Sequence, residues 1–292
     1  LNTKEQERLN DYYRTLYHKQ FSEIIQQYES LSLPFDTFNL LIAYSELSDL
    51  AEFSGDYKLT DELNNKKQRI AEKHYAHNFP IQRDLNYNLA YSYYRLNNYD
   101  KAEYYITKLQ DLNIQHKCLN THEHALSYIL LALIYNNLDD KSVSATDSLL
   151  DIALESFINQ GYEDSYWCHQ VYQLKGELCR MEIDPENGLE ENRRLFRQAY
   201  KYYSKANYSE QSPDNASLLN SKGLLYLLSP QAYIPKDSIK YYLNKASDAF
   251  LDGYVIYDMN FGQSHSDYMQ GLYIEALSNF IRGKLFEDDV LL

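Results

Sequence analysis

Four side chains that could bind a transition metal lie within nine residues: His116, Cys118, His122 and His124. Imidazole and thiolate donors of this kind suit zinc or copper. The same segment also fits the start of a helix, because Thr121 can cap the apolar run after it. We therefore expect no bound metal and retain these four residues only as a weak metal candidate.

Residues that could support covalent catalysis are poorly placed. Cys168 and His169 are neighbours on a predicted helix, where successive side chains point about 100° apart, so the imidazole cannot orient the thiol. Glu190 and Glu191 lie at a predicted helix start, where acidic residues complement the helix dipole. The nine glycines do not cluster into a phosphate-binding loop. The sequence predicts a protein that is not an enzyme and has no cofactor.

The chain is acidic, with 42 acidic and 28 basic residues among 292 and a net charge of −14. Such a field repels nucleic acid and anionic lipid, so neither is an expected partner. No apolar run approaches the roughly 20 residues of a membrane-spanning helix, which predicts no membrane insertion. Three cysteines without CxxC spacing slightly favour a reducing, cytoplasmic location.

The elements that would position any site are predicted to be helices, since only nine glycines and six prolines occur in the chain. One stretch shows a repeating unit clearly: Leu89 and Ala90 precede Tyr93, and Tyr99 and Ala102 lie further on, in a second helix. This pattern resembles a tetratricopeptide (TPR) repeat. Such a helix pair leaves an apolar face that only a neighbouring pair can cover, so one clear repeat predicts others on both sides.

The same phase recurs along the chain. The period of about 42 residues through the middle resembles the long TPR variety of kinesin light chains. Two polar entry boxes, Ser212–Ala216 and Ser264–Tyr268, occupy matching places and fit helix N-termini. The position that the family fills with a small residue falls at Tyr12, Ser48, Ala90, Ala132, Gly176, Gly223 and Ala276.

The resemblance implies an all-α fold, a right-handed superhelical α-solenoid of antiparallel helix pairs with about six to seven repeats. No linker rich in serine or glycine divides the array, so we expect one domain over residues 1–292. The last repeat looks unfinished at Leu292, and we expect a further segment of a longer protein beyond it.

First helices line a concave groove in TPR arrays, and five positions of each repeat face it. Carried over to this chain, these positions include Asp84 and Leu126. Ten of the residues at these positions are the candidate partner-binding residues: Tyr87, Tyr91, Tyr94, Arg95, Asn136, Asn137, Gln173, Glu177, Arg180 and Asn220. The carboxylate clamp of chaperone-binding TPRs is missing, because Tyr87 and Tyr91 stand where its Lys and Asn are expected. Tyrosine buries a large area and keeps a hydroxyl, which suits an extended peptide or a partner helix.

The resemblance is compatible with two functions. The first is a non-catalytic scaffold that binds a peptide or protein partner in its groove. The alternative is a sensory or autoinhibitory arm of a larger signalling or regulatory protein, for example a bacterial one, with a downstream effector domain. The two differ in the segment expected beyond Leu292, because sites are grafted on folds and the repeat alone does not choose between them.

Overall fold

A computed structural model describes residues 37–53, 56–138, 141–228 and 236–261, together with 12, 15, 16, 18–27, 30, 273, 276, 279 and 280. Within these residues the chain forms helices joined by short turns and contains no strand. Residues 18–27 are helical, and the helices that follow are α1 (Thr37–Phe53), α2 (Tyr57–His74), α3 (Phe79–Arg95), α4 (Tyr99–Gln115), α5 (His122–Tyr135), α6 (Val143–Asn159), α7 (Tyr166–Met181), α8 (Leu189–Lys205), α9 (Pro213–Leu227) and α10 (Lys236–Phe261).

The helices pack in sequential pairs. The closest partners are α1 with α2, α3 with α4, α7 with α8, and α9 with α10. We call the odd-numbered members first helices and the even-numbered members second helices. Neighbouring first helices also meet, α3 with α5 and α7 with α9. Within each compact unit, neighbouring pairs thus cover one another's apolar faces, as a helical repeat requires.

The first helices recur at a regular spacing. They begin at residues 37, 79, 122, 166 and 213, which are 42, 43, 44 and 47 residues apart. Ser48, Ala90, Ala132, Gly176 and Gly223 each lie on a first helix, where the repeat phase places them. The all-α, α-solenoid type of fold predicted from the sequence is therefore confirmed.

Side-chain caps explain where many of the helices begin. Ser212 Oγ accepts a hydrogen bond from the Asn215 backbone N–H at 3.1 Å, and Pro213 occupies the first helical turn of α9, so this predicted entry box is confirmed. The other predicted box, Ser264–Tyr268, lies outside the described residues. The side chains that cap N-termini in this way are Asp56, Asn78, Asn98, Thr121, Ser142, Ser165 and Ser212.

The chain divides into two compact units, Leu1–Ser156 and Phe157–Leu292. In the first, buried Leu89 and Tyr93 of α3 pack with Ile106 and Leu109 of α4. The Tyr93 ring stacks parallel to that of Tyr105, with centroids 5.6 Å apart. Burial of large apolar and aromatic side chains at this point holds the two helices together.

The second unit packs its helix pairs around glycine. A Cβ atom added at Gly176 of α7 would lie 2.5 Å from Cε1 of Tyr203 on α8. At Gly223 of α9 the added atom would lie 2.5 Å from Cε1 of Phe250 on α10. Both rings are fully buried, so each glycine gives an aromatic ring room to approach the helix backbone.

Several expectations remain predictions. The single domain over residues 1–292 and the right-handed superhelical sense are among them. So is the unfinished last repeat, whose end at 281–292 lies outside the described residues. No helix in the described part of the chain is long and apolar enough to cross a membrane.

Candidate partner-binding groove

A pocket with a volume of about 220 Å³ opens in the first unit, between the first helices α3 and α5. In the repeat phase predicted from the sequence, Asp84 and Tyr87 occupy the second and fifth positions of one repeat, and Leu126 occupies the second position of the next. These are groove-facing positions in a TPR array. We call this cavity the groove pocket; it is lined by Arg83, Asp84, Tyr87, Asn88, Leu109, Glu123 and Leu126.

An arginine held between two carboxylates forms the polar edge of the groove pocket. Arg83 Nε donates to Asp84 Oδ1 at 3.1 Å, and Arg83 Nη2 lies 3.8 Å from Glu123 Oε1. The guanidinium also lies 5.9 Å from the centroid of the Phe79 ring. Its side chain is 24% exposed, against 65% for Asp84 and 48% for Glu123. The carboxylates, rather than the arginine, are therefore presented to solvent.

Three predicted tyrosines lie along one face of α3 at helical spacing. Tyr87 and Tyr94 are half-buried, whereas Tyr91 between them is 44% exposed. Burial raises the pKa of Tyr87, and the neighbouring Tyr91 raises it further. Burial likewise raises the pKa of Tyr94, with Tyr99 and Tyr91 adding to the rise and Arg95 opposing it. Tyr87 and Tyr94 thus present neutral hydroxyls at physiological pH.

Three further predicted residues lie at the C-terminal ends of α3 and α5. Arg95 is the last residue of α3 and is exposed, and Asn136 caps the end of α5. Asn137 is exposed, but its amide already has partners, since Nδ2 donates to the Leu133 carbonyl at 2.8 Å. Its Oδ1 accepts from Tyr99 Oη at 3.3 Å. The Asn137 side chain therefore links the start of α4 to the end of α5.

The four predicted residues of the second unit are partly engaged within the chain. Gln173 Nε2 of α7 donates to Ser217 Oγ of α9 at 3.1 Å, which links two first helices. Glu177 Oε2 accepts from Arg180 Nε at 2.9 Å within α7. Asn220 is half-buried on α9. These four residues belong to the second unit, whereas the tyrosines of α3 belong to the first.

Sequence reasoning missed four lining residues of the groove pocket: Arg83, Asn88, Leu109 and Glu123. Arg83 directly precedes the second position of its repeat, and Glu123 lies in the first turn of α5. A window widened by one turn at each helix entry would have included both. Leu109 comes from a second helix, which the rule for groove positions does not consider.

The histidines of the weak metal candidate serve other contacts. His124 is buried, and its Nδ1 lies 3.2 Å from Asn113 Nδ2 on α4. Because an amide nitrogen only donates, the ring nitrogen accepts in this arrangement. Burial lowers the pKa of His124. The Thr121 hydroxyl caps the same turn by accepting from the His124 backbone N–H at 3.2 Å.

The other members of that cluster also contact their own surroundings. The His116 ring stacks on Phe79 with centroids 4.0 Å apart, and Cys118 Sγ donates to the His116 carbonyl at 3.5 Å. His122 is the first residue of α5. Within the described ranges, no group of three or more His, Cys, Asp or Glu side chains is arranged to hold a metal ion.

The residues considered for covalent catalysis support the helices. Cys168 is buried, its Sγ donates to the Tyr162 carbonyl at 3.2 Å, and burial raises the pKa of its thiol. A thiol in this state is a poor nucleophile. Glu190 and Glu191 lie in the first turn of α8, and each pairs with an arginine three residues later, at 2.9 Å and 2.6 Å.

Comparison with known proteins agrees with the helical-repeat fold. No protein-family model matches the chain, and no curated protein sequence matches it. Among solved structures, the chain is similar to BtubC (BKLC) from P. vanneervenii, a protein of kinesin-light-chain-like, TPR-type fold. The TM-score is 0.54 at 16% sequence identity, and the match covers 93% of this chain and 92% of that one. At this identity the likeness concerns the fold alone.

Proposed function

We propose that the chain is a non-catalytic scaffold of the long-period TPR type that binds an extended segment of a peptide or protein partner along α3 and α5. The observation that carries the proposal is the groove pocket, a cavity of about 220 Å³ at groove-facing positions of two neighbouring first helices. Beside it, Tyr91 is 44% exposed one turn beyond Tyr87. A cavity flanked by exposed tyrosine is typical of peptide-binding surfaces.

The fold supports the same function. First helices that pack side by side expose their groove-facing side chains in register, so an extended segment can contact consecutive repeats. A regulatory arm of a larger protein would use the same surface, with the occupant supplied by the same polypeptide. Both forms of the proposal therefore depend on Tyr87 and Tyr91.

Display selection tests the proposal. Random peptides of about twelve residues, which reach roughly 40 Å when extended, are selected on the wild-type chain, and their affinities are measured by fluorescence anisotropy. We expect Tyr91→Ala to weaken the selected peptides about tenfold, as for a tyrosine anchor, and Tyr87→Ala to weaken them at least as much.

Tyr104→Ala is the matched control, because Tyr104 is 59% exposed on the second helix α4. It should leave affinity unchanged. Because Tyr91 is exposed, its replacement should also leave the thermal unfolding midpoint nearly unchanged. Selected peptides that bind all three variants as tightly as wild type would refute the groove assignment.

A further inference from the structure

The groove pocket combines an apolar floor with an acidic edge. Leu109, Leu126 and the Tyr87 ring supply the apolar part of the lining. Asp84 and Glu123 supply two carboxylates, both substantially exposed. An occupant that fills the floor must therefore place its flanking groups beside negative charge.

Arg83 does not reverse this sign. Its guanidinium lies between the two carboxylates, with Nε 3.1 Å from Asp84 Oδ1 and Nη2 3.8 Å from Glu123 Oε1. One positive charge thus faces two negative ones, which leaves the edge with a net charge of about −1. An anionic occupant would have to displace a carboxylate to reach the arginine, whereas a cationic one can approach the exposed oxygens directly.

Long-range electrostatics favour the same kind of occupant. The whole chain carries a net charge of −14. A field of this sign accelerates the approach of cations and slows that of anions. The acidic edge of the groove pocket and the overall negative charge therefore both favour a cationic occupant.

We infer that the partner segment is basic and apolar: an aliphatic or aromatic side chain enters the groove pocket between Tyr87 and Leu126, and a flanking Lys or Arg pairs with Asp84 and Glu123. This inference rests on the proposed function and names the chemistry of its partner. Acidic segments and nucleic acid are excluded as occupants of the pocket.

The peptides selected on the wild-type chain provide the first test. We expect those that lose affinity in the Tyr87→Ala variant to carry net positive charge next to a large apolar residue. If Tyr87-dependent peptides are neutral or acidic, the inference is overturned while the scaffold function stands. If no selected peptide depends on Tyr87 or Tyr91, both are overturned.

Charge removal provides the second test. The variant Asp84→Asn with Glu123→Gln keeps the side-chain shapes and should weaken the selected basic peptides about three- to tenfold, the range for two exposed ion pairs. The loss should shrink when NaCl is raised from about 0.05 M to about 0.5 M, because salt screens exposed charges. Equal affinity for wild type and this variant at low salt would overturn the inference.

A matched control separates local pairing from overall charge. Asp111→Asn with Glu155→Gln changes the net charge by the same amount, and both residues are exposed on the second helices α4 and α6. We expect this control to lower affinity by less than twofold, because neither residue lines the groove pocket and salt screens exposed charges. A loss as large as that of the groove variant would mean that overall charge, and not the groove pocket, recognises the peptide.

Discussion

Gly176 of α7 lies directly against the ring of Tyr203 on α8. A Cβ atom at Gly176 would lie 2.5 Å from Cε1 and 2.6 Å from Cδ1 of that ring, and the ring itself is fully buried. Gly223 and Phe250 repeat the relationship in the next helix pair, with the same spacing along the sequence. An aromatic ring against a glycine thus fixes how closely these helix pairs approach.

Replacement of Gly176 by alanine should destabilise the fold. Alanine in a helix interior gains about 1 kcal/mol over glycine, but overpacking of a core costs about 1–3 kcal/mol. Because the Tyr203 ring is fully buried, we expect the steric cost to exceed the gain and the free energy of unfolding to fall by up to about 2 kcal/mol. Urea unfolding followed by circular dichroism measures the change.

A double-mutant cycle isolates the contact. In a Tyr203→Leu background the ring is gone, so Gly176→Ala should cost little or become stabilising. A Gly176→Ala variant that is more stable than wild type would show that the helices separate at no cost, contrary to this account.

The repeat phase could be predicted from the sequence because it depends on local signals. Ser212 before Pro213 predicts the start of α9, and the small residues Ala90 and Gly176 indicate first helices. Caps and helix breakers act over a single turn, so they can be recognised in the sequence. The side chain that packs against each small residue cannot be predicted in the same way, since the Tyr203 ring contacts Gly176 only through tertiary packing.

The candidate site was predictable to a lesser degree for the same reason. Tyr87 lines the groove pocket because the repeat phase fixes which side of α3 it occupies. The hydrogen bonds that engage Asn137 and Gln173 depend on Tyr99 and Ser217, which lie 38 and 44 residues away. The repeat period places these helices beside one another but does not specify which side chains form hydrogen bonds, so the rule for groove positions could not tell engaged amides from available ones.

A buried polar chain crosses three helices of the first unit and should be sensitive to substitution. Ser48 Oγ donates to Asn64 Oδ1 at 3.2 Å, and Asn64 Nδ2 donates to Ser92 Oγ at 2.8 Å. All three residues are buried. Asn64→Leu leaves two buried hydroxyls without these partners. An unsatisfied buried polar group lowers the free energy of unfolding by about 1–3 kcal/mol. We expect the urea midpoint to fall accordingly.

The compensating variant is the control for this prediction. Ser48→Ala and Ser92→Ala added to Asn64→Leu remove the stranded hydroxyls, so much of the lost stability should return. If the triple variant is less stable than Asn64→Leu alone, packing rather than hydrogen bonding determines the cost.

Lys101 links consecutive second helices and should contribute modestly to stability. Its Nζ lies 3.4 Å from Asp61 Oδ1 and 4.5 Å from the centroid of the Tyr93 ring. The ion pair is nearly half exposed, so we expect Lys101→Met to cost about 0.5–1 kcal/mol at low salt. Lys108→Met on the same helix is the control. A cost that does not decline at about 0.5 M NaCl would rule out an electrostatic origin.

His124 should make the stability of the fold depend on pH. Burial lowers its pKa in the folded chain, whereas in the unfolded chain the pKa returns to about 6.5. The unfolded state therefore binds the proton more readily, and stability falls as pH drops below about 6.5. Protonation would also make Nδ1 a donor facing the Asn113 amide, 3.2 Å away.

Urea midpoints measured between about pH 7 and about pH 5 test this dependence. We expect His124→Gln to reduce the decline in stability on acidification, because glutamine does not titrate. His77→Gln is the matched control, since His77 is exposed beyond the end of α2; it should leave the decline unchanged. If wild type and His124→Gln lose stability in parallel over this range, other groups carry the acid sensitivity and the neutral state of His124 contributes nothing to it.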